Sequence, residues 1–260
     1  MPYVDELFSL RGKVAVVVGG SGLLGGRIAC ALARVGAKVA VVFNRNREAA
    51  DNRVKEIEGH GGEAMKAQAN VLNKLEIQKV RDQICSRWDK VHILVNAPGV
   101  NSTTPVLEIT EEEWHAILNT NLKGIFLCCQ VFGELMIKQK ERGSIINVSS
   151  VSSEVPLSKV FTYSISKSGV NSLTRSLARD WASSKIRVNA IIPGFFPAEQ
   201  NRTILTDERK KSILDHTPMG RYGEPEELAG VVVWLASERA SSFVTAAIIP
   251  VDGGFTGMTI

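Results

Sequence analysis

Seven short, mostly apolar runs recur along the chain, at 13–18, 38–43, 63–68, 91–95, 144–149, 186–192 and 247–251, with helix-like patterns between them. Alternation of this kind is the signature of an α/β protein whose parallel sheet carries helices on both faces. Most of the runs lack a polar residue at every second position, as strands buried on both sides do. The stretch 197–223, between the last two runs, is polar and charged with few periodic apolar residues. It is expected outside the core, as a small helical flap over the carboxyl ends of the strands, where clefts form in sheets of this kind.

The chain has 260 residues, of which 44% are hydrophobic, enough for one large core, and a single domain over 1–260 is expected. The first ten residues lack a basic stretch followed by an apolar one, and no apolar run reaches the ~18 residues that span a bilayer. A soluble, cytoplasmic protein without membrane contact is the expectation. Cys30, Cys85, Cys128 and Cys129 have neither a CxxC spacing nor a disulfide-framework pattern, and read as reduced thiols. The four histidines are dispersed without metal-ligand spacing, so no catalytic metal is expected. A net charge of +4, with lysine and arginine scattered among nearly as many acids, gives no reason to expect nucleic acid as a partner.

The first apolar run enters Gly19-Gly20-Ser21-Gly22-Leu23-Leu24-Gly25, and a helical pattern follows from Arg27. Glycines there let the backbone turn tightly and approach a pyrophosphate, while the helix start presents its amides to it. Gly19, Ser21, Gly22, Leu24 and Gly25 are therefore cofactor-binding candidates. The second strand ends in Asn44-Arg45-Asn46-Arg47, with no carboxylate to hold a ribose 2′-hydroxyl. A 2′-phosphate would be attracted by Arg45, so NADP is favoured and NAD remains possible.

Ser150, Tyr163 and Lys167 supply the chemistry. Tyr163 and Lys167 lie four apart in a segment with apolar residues at Val170, Leu173, Leu177 and Trp181, so both project from one helical face. Hydride transfer to a carbonyl needs an acid for the developing alkoxide, and the reverse reaction needs a base. A tyrosine serves both directions, but its ordinary pKa of about 10 calls for help, and a nearby ammonium favours the phenolate. Lys167 could also hold the nicotinamide ribose. Ser150, ending the fifth strand, is placed to hydrogen-bond the substrate oxygen.

Taken together, these pieces resemble the short-chain dehydrogenase/reductase family over nearly the whole chain. The further matching motifs are Asn96-Ala97-Pro98-Gly99, Asn121 within Asn119-Thr120-Asn121-Leu122-Lys123-Gly124, Pro193-Gly194, and Val251-Asp252-Gly253-Gly254. The resemblance implies a Rossmann-type doubly wound seven-stranded sheet and a Ser-Tyr-Lys site. It implies that Asn121 anchors a water relaying protons to the lysine, and that Asn70, Val71, Asn96, Ala97, Pro193, Gly194 and Phe196 contact the cofactor along with Tyr163 and Lys167. It also implies a homo-oligomer, a tetramer by expectation, formed through long helices at about 111–140 and 161–184. The sequence departs from the family's pattern at Val18, Leu23, Pro98 and Ala198. Where Ala198 stands a threonine commonly bonds the nicotinamide carboxamide, so that contact is expected from elsewhere, such as the Phe196 backbone.

The residues around Pro193-Gly194-Phe195-Phe196, Glu199-Gln200-Asn201-Arg202 and Pro156-Leu157-Ser158-Lys159 look most like those of sugar-acid oxidoreductases, of the mannonate/fructuronate and gluconate 5-dehydrogenase type. A polyhydroxy carboxylate needs a cation for its acid group and amides for its hydroxyls, which makes Lys159, Arg202, Gln200 and Asn101 the substrate-binding candidates. His216 and Arg221 are expected to tie the flap back to the body. A 3-oxoacyl reductase suits the same machinery, and a dinucleotide sensor without catalysis is the alternative of another class.

Overall fold

The computed structural model describes residues 2–196 and 206–258. Its elements run α1 (Pro2–Phe8), β1 (Val14–Val18), α2 (Leu23–Arg34), β2 (Lys38–Phe43), α3 (Arg47–Gly59), β3 (Ala64–Gln68), α4 (Lys74–Trp88), β4 (Ile93–Asn96), α5 (Glu111–Leu118), α6 (Gly124–Gln139), β5 (Gly143–Val148), α7 (Phe161–Trp181), β6 (Ile186–Pro193), α8 (Asp207–Asp215), α9 (Ala229–Ala236), α10 (Glu238–Ser241) and β7 (Ile248–Val251). The strands pair in the order β3-β2-β1-β4-β5-β6-β7, every pair parallel. The chain winds outward from β1 to β3 and then returns to β4, so the crevice beyond the carboxyl ends opens between β1 and β4.

β1 shows how the sheet is buried on both sides. Val14, Val16 and Val18 pack with Ile125, Cys128 and Phe132 of α6 and Val170 of α7. Ala15 and Val17 join Ile28 and Leu32 of α2 and Val232 and Leu235 of α9 on the opposite face. Each fully buried Leu or Ile contributes about 1.5–3 kcal/mol by its removal from water. The last strand, at the sheet edge, carries an exposed Pro250, a residue that edges tolerate because no partner needs its missing N–H.

The expected continuous helix over 111–140 is in fact two. A π-helical turn, Asn119–Lys123, separates α5 from α6, and Gly124 N–H reaches back to the Asn119 carbonyl. Close packing accompanies the break: a Cβ on Gly124 would stand 2.6 Å from Val71 Cγ2. α7 is followed by a 3₁₀ turn, Ala182–Ser184, which completes the expected 161–184 stretch. Of the expected flap, residues 197–205 lie outside the described residues. The remainder contains α8, which buries only Ile213.

Cys30, Cys128 and Cys129 are buried and Cys85 is half-buried, all as free thiols. Burial pushes the Cys128 and Cys129 thiols up, Cys129 to about 12. Among the described residues, no cluster of three His, Cys, Asp or Glu side chains is placed to hold a metal, and no helix is long and apolar enough to cross a membrane.

Candidate active site

The glycine turn after β1 is shaped by contacts that leave no room for side chains. Gly19 has a φ of +77°, and a Cβ there would lie 2.6 Å from the Ala97 carbonyl oxygen. One on Gly25 would lie 2.4 Å from the Gly19 oxygen. Gly19 and Gly20 both donate to Val42 O at 3.0 Å, which locks the turn to β2. Gly22 is the N-cap of α2 and offers no side chain to its first amides. A backbone cradle ending in an uncapped helix fits a diphosphate, which would take those amides and the positive end of the dipole. Ser21 and Leu24 line this turn, both half-buried.

Asn44 and Arg45 are exposed at the end of β2, with Asn44 O accepting from Gln68 Nε2 at 2.8 Å. Arg45 makes no ion pair among the described residues, while Asn46 caps α3 through Ala49 N–H at 2.9 Å. Asn70 and Val71 form the turn between β3 and α4: Asn70 Oδ1 accepts from Leu72 N at 3.0 Å, and Val71 packs into the core.

Asn96 is placed differently from Ala97 beside it. Its side chain is buried and donates to Asn147 Oδ1 at 2.9 Å, and Asn147 Nδ2 donates to Thr174 Oγ1, also at 2.9 Å. Thr174 in turn donates to Val170 O within α7. The Asn96 amide nitrogen is thus committed to the core, while its Oδ1 is buried with no partner among the described residues. Asn96 and Asn147 are paired in register across β4 and β5, so this chain of amides fastens both strands to α7.

α7 carries Tyr163 and Lys167 toward the carboxyl end of β5. Lys167 is 3% exposed; its Nζ donates to Val148 O at 2.8 Å and stands 5.5 Å from the centre of the Tyr163 ring. Burial pulls the Lys167 ammonium down to about 8. Burial also raises the Tyr163 phenol, and the hydrogen bond with Ser150 draws it part of the way back. Of these two influences desolvation is the larger, so the Tyr163 phenol stays above its ordinary value. Ser150 Oγ accepts from Ser152 N at 3.2 Å and from Ser152 Oγ at 3.1 Å. Both acceptor positions of that hydroxyl are taken, which leaves its proton to be donated.

Asn121 lies fully buried in the π-helical turn. Its Oδ1 accepts from Val100 N at 2.8 Å, and its Nδ2 donates to Val100 O at 2.9 Å and to Ser166 Oγ at 3.0 Å. Ser166 passes its own proton to Tyr163 O at 2.6 Å. The position a Cβ would take on Gly99 is 3.8 Å from both Asn121 Oδ1 and Lys167 Nζ. Ser150, Tyr163, Lys167 and Asn121 thus gather around the start of the 98–105 loop.

The segment after β6 is clamped from two sides. Gly194 N donates to Val251 O at 3.0 Å, and a Cβ on Gly194 would meet Asp252 Cα at 2.7 Å. Gly223 N donates to Phe195 O at 3.0 Å, and its α-carbon packs against the Phe196 ring. These contacts fix Pro193, Gly194 and Phe196 at the mouth of the crevice.

The substrate candidates are less gathered. Asn101 is exposed and its Oδ1 accepts from Ser102 N; Lys159 is exposed with a φ of +64°. Neither hydrogen-bonds to Ser150, Tyr163 or Lys167. Gln200 and Arg202 lie outside the described residues. His216 packs edge-on against Phe255 at 4.5 Å, and Arg221 forms a two-pronged pair with Glu227.

Sequence reasoning passed over several residues. Arg209 of α8 donates to Ser158 Oγ at 2.7 Å and so fastens the flap helix to the loop before α7. Asn147 and Thr174 were overlooked too, although an asparagine inside a buried apolar strand is itself a signal that a buried partner exists. Glu113, which accepts from Ser102 Oγ at 2.5 Å and Thr104 Oγ1 at 2.7 Å, has no signal beyond the acidic start of α5.

Comparison with known proteins gives a consistent picture. A family model described as enoyl-(acyl carrier protein) reductase matches residues 21–256. A 3-oxoacyl-(acyl-carrier-protein) reductase of Synechocystis sp. is 37% identical, over 95% of this chain and 98% of its own length. The crystal structure of a gluconate 5-dehydrogenase from Burkholderia cenocepacia J2315, in complex with NADP and tartrate, superposes with a TM-score of 0.92 at 32% identity, covering 98% of this chain and 100% of that one. A provisionally assigned D-mannonate oxidoreductase from Haemophilus influenza with bound NAD superposes with a TM-score of 0.91 at 34% identity, covering 98% and 99% of the two chains.

Proposed function

Since the chain belongs to the short-chain dehydrogenase/reductase family, an oxidoreductase family that uses nicotinamide dinucleotides, we propose that it interconverts a secondary alcohol of a sugar acid and the matching ketone at Ser150, Tyr163 and Lys167. The dinucleotide, when bound, supplies or receives the hydride. Its diphosphate would rest on the glycine turn and the uncapped start of α2, its adenosine end would meet Asn70 and Val71, and its nicotinamide end would meet Asn96, Ala97, Pro193, Gly194 and Phe196. Arg45, exposed at the end of β2 and without an ion pair among the described residues, supports NADP as the preferred form, since a 2′-phosphate would complete its charge.

The observation that carries the chemical reading is the state of Ser150. With Ser152 N–H and Oγ donating to its oxygen, the Ser150 hydroxyl has its proton left to donate to Tyr163 or to the substrate oxygen. In the reductive direction Tyr163 gives its proton to the oxygen that becomes the alcohol; in the oxidative direction it takes that proton back. Lys167, at about 8, is still mostly charged at pH 7, and its ammonium beside the ring favours the phenolate as it forms. Asn121, whose side chain is committed to Val100 and Ser166 close to Lys167, would anchor the relay water there, as the likeness to the family implies.

The sugar-acid reading is supported by the polar flap and by the gluconate 5-dehydrogenase likeness, with Lys159, Arg202, Gln200 and Asn101 as the substrate contacts. A 3-oxoacyl reductase is the second reading, favoured by the relative of that activity. The exposed apolar residues Phe126 and Ile137 of α6 and Phe161 and Ile165 of α7 support assembly of this one-domain chain into a tetramer across those helices.

Absorbance at 340 nm tests the proposal, with NADPH and NADH offered against keto sugar acids, simple ketones and acetoacetyl thioesters. Oxidation of NADPH by a keto sugar acid, abolished in Tyr163→Phe with dinucleotide binding retained, is the expected result. Turnover of acetoacetyl thioesters alone would replace the sugar-acid assignment with the second reading.

A further inference from the structure

The loop at 98–105 leaves β4 beside Lys167 and ends beside Phe161. Its root is fixed at Val100, where Asn121 takes both the backbone N–H and the carbonyl, next to Gly99. Beyond the loop, Val106, Ile109 and Trp114 line a hollow with Phe161. Phe161 and Lys167 are six residues apart on α7, a rise of about 9 Å, and Tyr163 lies between them. Tyr163 and Lys167 share one helical face, so the root of the loop at Gly99, where an added Cβ would stand 3.8 Å from Lys167 Nζ, adjoins the space in which a substrate would meet the Tyr163 hydroxyl.

Between those two ends a side chain of α5 holds the loop. Glu113, in the first turn of α5, accepts from Ser102 Oγ at 2.5 Å with one carboxylate oxygen and from Thr104 Oγ1 at 2.7 Å with the other. Its backbone N–H is capped by Thr110 at 3.2 Å, which fixes the helix start from which the carboxylate reaches. The two hydroxyls hold its carboxyl below the usual carboxylate range. No lysine or arginine pairs with it among the described residues, so its charge is spent on the loop alone. Hydrogen bonds to an ionised acceptor are about twice as strong as neutral ones. Asn101 and Thr103, which alternate with the two tethered residues, stay exposed.

We infer that Glu113 is a positioning residue for substrate: it holds the 100–105 loop, rooted beside Lys167, so that Asn101 and Thr103 are presented in one fixed arrangement. Glu113 touches neither the reacting atoms nor the cofactor cradle, so its effect belongs to substrate binding. The inference needs only the reaction class and does not depend on the substrate being a sugar acid.

Two variants test it, Glu113→Ala and the pair Ser102→Ala with Thr104→Val, the second leaving the α5 start untouched. Hydrogen exchange read by mass spectrometry needs no substrate, and amides at 100–105 should exchange about tenfold faster in both variants, with the sheet unchanged. Kinetics are run on the best ketone of the panel, whatever its class. The KM for that ketone should rise by about tenfold, with kcat and the dinucleotide KM within about twofold of the parent, the pattern of lost uniform binding. Unchanged exchange would overturn the tether. Faster exchange with an unchanged ketone KM would overturn the positioning role. A joint fall of kcat, dinucleotide affinity and melting temperature would reduce Glu113 to a structural residue.

Discussion

Replacing Lys167 with methionine should make the protein more stable at neutral pH while ending turnover. Nζ is almost wholly buried, and burial alone takes its pKa from 10.5 to about 8. At 1.36 kcal/mol for each tenfold change, that is about 3 kcal/mol against the charged form. A base whose folded-state pKa lies below its unfolded value carries this penalty in full below about pH 8. The penalty fades as pH rises from about 8 toward 10.5, where the unfolded chain binds more protons than the folded one. Methionine keeps most of the volume and removes the charge, but it gives up the bond to Val148 O, and a hydrogen bond from a charged group contributes about 1.5–3 kcal/mol. The difference is a net gain of about 1 kcal/mol at pH 7, or about 2–4 °C in Tm for a chain of this size. Thermal melts of both proteins at intervals from pH 6 to pH 10 check it. The variant should melt higher at pH 6 and 7, and its advantage should shrink above pH 8. A variant that melts lower at pH 7, or a gap that does not change with pH, would refute the reasoning.

Other outcomes follow from the same geometry. Arg45→Asp should raise the KM for NADPH by about tenfold or more and leave that for NADH nearly unchanged, because only the phosphorylated ribose meets the new repulsion; equal effects on both would remove Arg45 from the cofactor site. Asn147→Ala removes the oxygen that accepts from the Asn96 amide and the N–H that donates to the Thr174 hydroxyl, a loss of about 2–3 kcal/mol, so Tm should fall by about 5–10 °C in calorimetry. Gly25→Ala places a methyl 2.4 Å from the Gly19 oxygen, where backbone cannot yield, and titration calorimetry should find dinucleotide affinity lowered by at least about a hundredfold. A parental dissociation constant in that variant would mean that the turn is not the cradle.

The strands were legible because burial on both faces writes near-continuous apolar runs into β1, β2 and β4, and all seven lie within two residues of the expected positions. Tyr163 and Lys167 were legible as a pair because helical geometry alone puts positions four apart on one face. The break at Asn119–Lys123 was not, since the apolar period is helical on either side of it and one inserted residue leaves no compositional mark. The inward turn of the Asn96 side chain depends on Asn147, 51 positions away, and the latch from Arg209 to Ser158 spans the same separation. Contacts of that kind are decided by how strands and helices register in space, which local periodicity does not encode. The raised phenol of Tyr163 belongs here too: a neighbouring cation can be read from spacing, but the degree of desolvation is set by the packing of the whole site.

The four thiols divide the molecule by accessibility. Three lie in the interior, two of them adjacent on α6 beneath the sheet, and only Cys85 reaches partway to solvent. A thiol-reactive dye added to the native protein therefore has one slow target, whereas the opened chain offers four. Labelling stoichiometry becomes a clock for global opening, readable without a spectroscopic tag, a substrate or a cofactor, and the chain can be handled in air with little exposure of its core sulfurs to oxidation.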